Sequence, residues 1–96
     1  PARRDGVRHV FHLYILRSNR RDALLSSLNE DGIEAKIHYP IPIHLQEAAK
    51  SLGHGPGSFP ITEADARTVI TLPAHQHLSD AEVDYTIGRV RKFCGK

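Results

Sequence analysis

The chain has 96 residues, 40% hydrophobic and 25% charged, which indicates one small globular domain and excludes a largely disordered protein. The formal net charge of +2 is too small to indicate a nucleic-acid-binding protein, and no apolar run approaches the roughly 20 residues that span a bilayer. The single cysteine, Cys94, excludes an internal disulfide framework and fits a reducing compartment. We therefore expect a cytoplasmic domain that binds neither nucleic acid nor a membrane.

Residues 1–6 are predicted to be a leader or linker, and residues 7–96 the domain itself. The leader contains charges, a proline and a glycine but no apolar segment of the kind found in a secretory signal. The chain contains no methionine. We take this as a hint that it is a piece of a longer protein or was processed.

The first predicted element is a strand over residues 7–17, VRHVFHLYILR. Its apolar residues follow one another too closely for an edge strand with one exposed face. We therefore expect a central strand that is buried on at least one face. A helix is predicted next, with Asn19 as its N-cap and Asp22 reaching back to it. Gly32 is predicted to end this helix. Its apolar stripe consists of leucines at helical spacing: Leu24, Leu25 and Leu28.

A second strand is predicted over residues 33–39, because apolar and polar residues alternate there with a period of two. The residues expected to face the core are Ile33, Ala35, Ile37 and Tyr39. The residues expected to face the other side are Glu34, Lys36 and His38. Pro40 and Pro42 cannot donate to a strand ladder, so they should end the strand.

The second half of the chain is predicted to add three helices and one strand. A short helix over residues 45–52, with Ala48, Ala49 and Leu52 as its apolar contacts, precedes the loop GHGPGSFP. A helix over residues 61–67, with acidic residues early, leads into a strand over residues 69–73. The last helix, residues 80–93, begins with a capping box of Ser79 and Glu82. We expect its apolar stripe to pack on the sheet: Val83, Ile87, Val90 and Cys94.

The predicted fold class is therefore α/β, in an α+β two-layer sandwich. It has a small three-stranded sheet with helices packed mainly on one face.

The seven histidines raise the question of a metal or catalytic site. His75 and His77 form an H-x-H pair, but the chain has no cysteine pair, no HExxH motif and no carboxylate at ligand spacing beside them. His9 and His12, three apart in the first predicted strand, would face opposite sides. We therefore predict no metal site, and nothing supports a Ser-His-Asp or Cys-His nucleophile. His38 is the last outward-facing residue before a rigid proline turn, where both a ligand contact and a structural role remain open.

Three strings occur in order with sensible gaps: GI-x-x-x-IHYP-x-P-x-HLQ, FP-x-x-E and LP-x-H-x-x-L-S-x-x-E. In this order they resemble the C-terminal end of the DegT/DnrJ/EryC1/StrS family of pyridoxal-phosphate-dependent sugar aminotransferases. The resemblance extends over residues 7–93. It implies the small C-terminal domain of the type I aminotransferase fold, joined to a large domain of the same chain.

By this resemblance, the whole enzyme would transfer an amino group, from glutamate or glutamine, to a keto-sugar nucleotide in amino-sugar biosynthesis. It would carry pyridoxal phosphate and act as a homodimer. The resemblance places His38, Tyr39 and His44 at the substrate. The alternation of the second strand instead sends Tyr39 to the core face, where it would support the loop from behind.

The resemblance assigns neither catalytic nor cofactor-binding residues to this chain, because the family's large domain supplies them. None of the four lysines sits in the context of the family's Schiff-base lysine: Lys36, Lys50, Lys92 and Lys96. We expect the 96 residues alone to be inactive. The alternative is a non-catalytic, stand-alone module derived from that domain, which binds a sugar nucleotide or another protein.

Overall fold

A computed structural model describes residues 3–96; Pro1 and Ala2, the start of the predicted leader, lie outside the described residues. The elements follow one another along the chain, with the two 3₁₀ helices in the middle. They are strand β1 (Tyr14–Arg17), helix α1 (Arg21–Glu30), the 3₁₀ helices Ile43–Leu45 and Glu47–Leu52, helix α2 (Pro60–Thr68), strand β2 (Val69–Leu72) and helix α3 (Asp80–Phe93).

The sheet is antiparallel and contains β1 and β2, with Tyr14 opposite Leu72 and Arg17 opposite Val69. The predicted third strand over residues 33–39 is not confirmed. Within the described residues, that segment contributes one isolated antiparallel bridge, between Lys36 and Thr71. The alternation still governs burial, since Ile33 and Ala35 are buried. The Ala35 N–H, however, donates to the Ile33 carbonyl and the Asn29 side chain, so it does not join a ladder.

The first predicted strand is much shorter than residues 7–17 and is not buried. Residues 7–13 belong to no strand, and Val7 and Val10 are largely exposed. Even within β1, Tyr14 and Ile15 are more than 40% exposed. Within residues 3–96, only the end of the predicted strand pairs, as β1 with β2, and residues 7–13 pair with no strand and are mostly exposed.

The core lies between α1, the segment that follows it and β2. Leu24 and Leu28 of α1 pack with Ile33, Ala35 and Ile70, and Leu28 and Ile70 are completely buried. The predicted leucine stripe of α1 is thereby confirmed. Each fully buried leucine or isoleucine side chain contributes about 1.5–3 kcal/mol relative to an exposed one. Five partly buried residues surround this core: Leu16, Leu25, Leu72, Val90 and Phe93.

The two ends of α1 show one wrong prediction and one correct one. Arg20, not Asn19, is the N-cap residue, and no side chain caps the first turn. Asp22 binds its neighbour Arg21 instead of reaching back, and the Ser18 hydroxyl accepts from the Arg20 N–H. At the other end Gly32 has a φ of 77°, as predicted for a left-handed residue that ends a helix.

The predicted helix over residues 45–52 consists of two 3₁₀ helices separated by Gln46. Of its three predicted apolar contacts only Ala49 is buried, and Leu52 is exposed. The predicted helix over residues 61–67 is confirmed as α2. It begins at Pro60, whose missing N–H costs nothing at the first helical position.

Helix α3 begins as predicted, with the reciprocal capping box of Ser79 and Glu82. Its predicted packing on the sheet is only partly right, because Val90 contacts the core while Val83 and Ile87 are more than 40% exposed. Cys94, the last residue of the predicted stripe, is also exposed. Among residues 3–96 no helix is long and apolar enough to cross a membrane.

Candidate functional site

His38 lies two residues beyond the Lys36–Thr71 bridge, and this bridge brings it beside β2. The Lys36 N–H donates to the Thr71 carbonyl at 3.1 Å, and the Thr71 N–H donates to the Lys36 carbonyl at 2.8 Å. The side chain of His38 then returns to the same residue, with Nδ1 3.0 Å from the Thr71 hydroxyl. His38 is half-buried, and its Nε2 has no hydrogen-bond partner within residues 3–96.

An open groove of about 400 Å³, here called the His38 groove, lies beside this ring. It is bounded by the segments around Glu34–His38, Thr71–His75 and the first turns of α3. Its polar lining includes His12, Lys36, His38, Thr71, His75 and Tyr85. The groove therefore collects hydrogen-bond donors from four separate parts of the chain.

The acidic groups of the His38 groove are already engaged. The Glu34 carboxylate lies 2.7 Å from Lys36 Nζ, and this hydrogen bond and the lysine charge lower the pKa of Glu34. Hydrogen bonds from the backbone N–H and hydroxyl of Ser79 lower the pKa of Glu82, against a smaller opposing effect of burial. Both carboxylates are therefore engaged within the domain.

Tyr39 does not face the core as the alternation predicted, because the residue is 68% exposed. The strand pairing ends at Lys36, so the period of two is no longer imposed beyond that residue. Tyr39 stacks edge-on against His38, with ring centroids 5.4 Å apart. It is not among the residues that line the His38 groove.

His44 occupies a different, buried cluster. Its side chain is only 7% accessible, and its Nε2 lies 3.0 Å from the Glu63 carboxylate. The ring also packs edge-on against Phe59, with centroids 4.8 Å apart. This contact ties the first 3₁₀ helix to the start of α2, and His44 does not line the His38 groove.

Glu63 is the hub of that cluster. Its carboxylate accepts hydrogen bonds from the backbone N–H groups of Gly57 and Phe59 as well as from His44. Burial alone would raise the pKa of Glu63, but the donors from His44, Gly57 and Phe59 together lower it below its usual value. The glycine-rich loop before α2 is thus anchored by one ionised side chain.

The structure brings no metal cluster together: in the part of the chain it describes, no three histidine, cysteine, aspartate or glutamate side chains could hold an ion. His75 and His77 lie in a turn, with ring centroids 6.2 Å apart, rather than on one strand face. His9 accepts a hydrogen bond from the Phe11 N–H.

Sequence reasoning missed two residues that organise these histidines. Thr71 sits inside an apolar strand, VITL, where its hydroxyl was the only polar signal. Glu63 was recognised only as an acidic residue in the first turn of a helix, although it is the glutamate of the FP-x-x-E string. Both partners are more than 15 residues distant from their histidines in the chain, so local patterns could not pair them.

Taken together, the described residues form a small α/β domain with an open groove that both apolar and polar side chains line. The chain belongs to the DegT/DnrJ/EryC1/StrS aminotransferase family, whose model matches residues 1–91. Members of this family are pyridoxal-phosphate-dependent aminotransferases.

Individual relatives agree with that assignment. The chain is 42% identical, over 95% of its length, to the erythromycin biosynthesis sensory transduction protein EryC1 of Saccharopolyspora erythraea. It is 39% identical, over 97% of its length, to the dTDP-3-amino-3,4,6-trideoxy-alpha-D-glucose transaminase of Streptomyces venezuelae. The crystal structure of S. venezuelae DesV in complex with a ketimine intermediate superimposes with a TM-score of 0.84 at 38% identity, covering 88% of this chain and 23% of that one.

The chain spans about a quarter of the length of the curated relatives that it matches. The covered share is 25% for the EryC1 protein and 24% for the S. venezuelae transaminase.

Proposed function

We propose that this chain is the C-terminal small domain of a pyridoxal-phosphate-dependent sugar aminotransferase. In the whole enzyme, an amino group would pass from glutamate or glutamine to a keto-sugar nucleotide, and the His38 groove would form the small domain's part of the substrate site. The observation that carries the proposal is the membership of the family together with a groove in which His38 keeps one ring nitrogen unpaired.

The groove has the chemistry that such a substrate needs. A sugar nucleotide is rich in hydroxyl, carbonyl and phosphate oxygens, which accept hydrogen bonds. The unpaired nitrogen of His38 can donate to such an oxygen, and Lys36 has two N–H donors besides the one that binds Glu34. The Glu82 carboxylate is held by Ser79. Pre-formed donors lower the ordering cost of binding, which the proline-rich turn after Tyr39 would reduce further.

The residues of this chain do not fit a complete cofactor site. A pyridoxal phosphate enzyme needs a lysine that forms a Schiff base and groups that hold the phosphate and the ring nitrogen. All four lysines are exposed here, Lys36 is paired with Glu34, and Lys50 is paired with Glu47. We therefore assign the attachment of the cofactor to a large domain that precedes these residues in the whole protein, and we propose a homodimeric enzyme like that of the family.

The test compares the full-length protein with the 96-residue chain. We expect the full-length protein to bind pyridoxal phosphate, seen as visible absorbance, and to convert it to the pyridoxamine form with L-glutamate or L-glutamine. The 96-residue chain should show neither signal. Absence of both signals from the full-length protein would overturn the aminotransferase assignment, and turnover by the short chain would overturn the assignment of the cofactor to a large domain.

The stand-alone binding module remains the second candidate, but the exposed surface counts against it. A second groove of about 420 Å³ is lined largely by apolar residues, including Val10, Tyr14, Val83 and Ile87, all of them more than 40% exposed. A domain that works alone normally covers such a surface. Native protein of 10.7 kDa that stays monomeric and soluble would favour the stand-alone module.

A further inference from the structure

Thr71 is a buried hydroxyl in an otherwise apolar strand. Only 6% of the residue is exposed, and its neighbours in β2 are Ile70 and Leu72. A hydroxyl in such a place costs free energy unless it is hydrogen-bonded. Its one side-chain partner within residues 3–96 is Nδ1 of His38, at 3.0 Å.

We propose that Thr71 is a positioning residue that holds the His38 ring, so that Nε2 is the nitrogen offered to the ligand in the His38 groove. The inference rests on the proposed function, because it takes the groove to be part of the substrate site. It goes beyond that function by assigning the hydrogen-bond role of each ring nitrogen. In this arrangement Nδ1 makes a hydrogen bond within the domain, to Thr71, and Nε2 donates to an oxygen atom of the substrate.

A threonine hydroxyl suits this task because it can both donate and accept. When the hydroxyl donates to Nδ1, the neutral ring carries its proton on Nε2 and can donate to a substrate oxygen. When the ring is an imidazolium, Nδ1–H donates to the hydroxyl and Nε2–H still points to the ligand. Within residues 3–96 the Thr71 hydroxyl has no acceptor other than Nδ1, so with the neutral ring its buried O–H is satisfied only when it donates to Nδ1. Nε2 is then the protonated nitrogen of the neutral ring, as it also is in the imidazolium.

The backbone of Thr71 allows the side-chain effect to be isolated. Its N–H and carbonyl both bind Lys36, and these two bonds do not involve the hydroxyl. Thr71→Val keeps the shape and both backbone bonds but leaves Nδ1 without a partner. Thr71→Ser restores the hydroxyl. Thr68→Val is the matched control, because the Thr68 hydroxyl binds the Ala64 carbonyl in its own helix and contacts no histidine.

The experiment uses the full-length protein with ¹⁵N-labelled histidine, and His38→Asn assigns the ring signals. We expect the His38 ring nitrogens of the wild type and Thr71→Ser to report a bonded Nδ1 and one dominant protonation pattern. In Thr71→Val they should shift towards the average of the two tautomers, while Thr68→Val leaves them unchanged. With dTDP-3-amino-3,4,6-trideoxy-alpha-D-glucose as the probe of the sugar half-reaction, Thr71→Val should lower kcat/KM about tenfold, and Thr71→Ser should restore it to within about twofold.

The double variant separates positioning from a general structural effect. In the His38→Asn background Thr71→Val should cause no further loss, since its effect passes through the ring. Unchanged His38 ring signals in Thr71→Val, or an equal loss with and without His38, would overturn the inference. If His38→Asn or the probe shows that the groove takes no part in turnover, the proposed function of the groove fails, and the ring signals still decide whether Thr71 sets the state of His38.

Discussion

His38 and His44 lie six residues apart in one ten-residue stretch, yet the fold gives them opposite surroundings. The His44 ring is buried, bonded to a carboxylate and packed on Phe59. The His38 ring is half-buried, is held at one nitrogen by the neutral hydroxyl of Thr71 and lines an open groove. His44 thus makes a buried structural contact, whereas His38 is available to donate a hydrogen bond to a ligand.

Each ring has one side-chain hydrogen bond, so its burial and the charge of its partner, rather than the residue type, separate the two roles. His44 shares its carboxylate with two backbone donors, so moving its ring would disturb the loop before α2. His38 is half-buried and lines an open groove, with one nitrogen bonded to a neutral hydroxyl. The substrate role predicted for His38, Tyr39 and His44 stays a prediction, and the contacts support it best for His38.

The largest expected effect is the loss of stability when the buried ring is removed. His44→Ala should destabilise the protein by about 2–3 kcal/mol, because it empties a packed site and leaves the Glu63 carboxylate with one donor fewer. Urea unfolding of the full-length protein, followed at this domain, measures the change. His38→Ala is the matched control and should cost less than half as much; equal losses would mean that the two rings do not differ in role.

Catalysis should show the reverse order. His38→Asn should lower kcat/KM of the full-length enzyme for its sugar substrate about tenfold, or about 1.4 kcal/mol, through the lost ring donor. His44→Asn should lower kcat/KM less than His38→Asn does, although it should lower the unfolding midpoint more. A larger kinetic loss at His44 than at His38 would contradict this assignment.

The pH dependence of stability sharpens the comparison at the Glu63 hub. The folded-state pKa of Glu63 is lowered, so its ionised form stabilises the fold at pH values above the unfolded pKa of about 4.3. That contribution is lost as the pH falls through the lowered folded value. Glu63→Gln keeps one acceptor oxygen, so it should lower the thermal midpoint at pH 7 less than His44→Ala does.

The Glu63→Gln variant also tests the direction of the pKa shift of Glu63. The gap in thermal midpoint between the wild type and Glu63→Gln should narrow as the pH falls below the unfolded pKa of about 4.3, and it should close below the lowered folded pKa, where both side chains are neutral. Glu47→Gln, which changes an exposed ion pair with Lys50, is the control and should show little gap at any pH. A difference in thermal midpoint between the wild type and Glu63→Gln that stays constant down to pH 3 would show that the ionised form of Glu63 does not stabilise the fold.

The smallest expected effect concerns Tyr39. It is exposed and forms no hydrogen bond within residues 3–96, so Tyr39→Ala should change the free energy of unfolding by less than about 0.5 kcal/mol. A loss above 1 kcal/mol in urea unfolding would show that the ring supports the proline turn from behind. Any effect of Tyr39→Ala on sugar binding without such a loss would favour a substrate contact.

The elements that could be predicted are those with local causes. The capping box of Ser79 and Glu82 and the left-handed Gly32 act within one helical turn. The burial of Ile33 and Ala35 also followed from alternation. Three predictions that the structure does not confirm required a distant partner: the third strand, the burial of residues 7–13 and the full packing of the α3 stripe. The Asn19 N-cap was a local prediction and was also wrong.

The sequence alone thus determined helices α1, α2 and α3, strand β2, the leucine core of α1 and the family, because helix caps, hydrophobic periods and ordered motifs are local properties of the chain. Only the tertiary structure decided that His44 is held in a buried cluster while His38 lines an open groove. Thr71 lies 33 residues from His38, and Glu63 lies 19 residues from His44. Such pairs form only when β2 and α2 pack beside the proline-rich turn, and no local pattern encodes that packing.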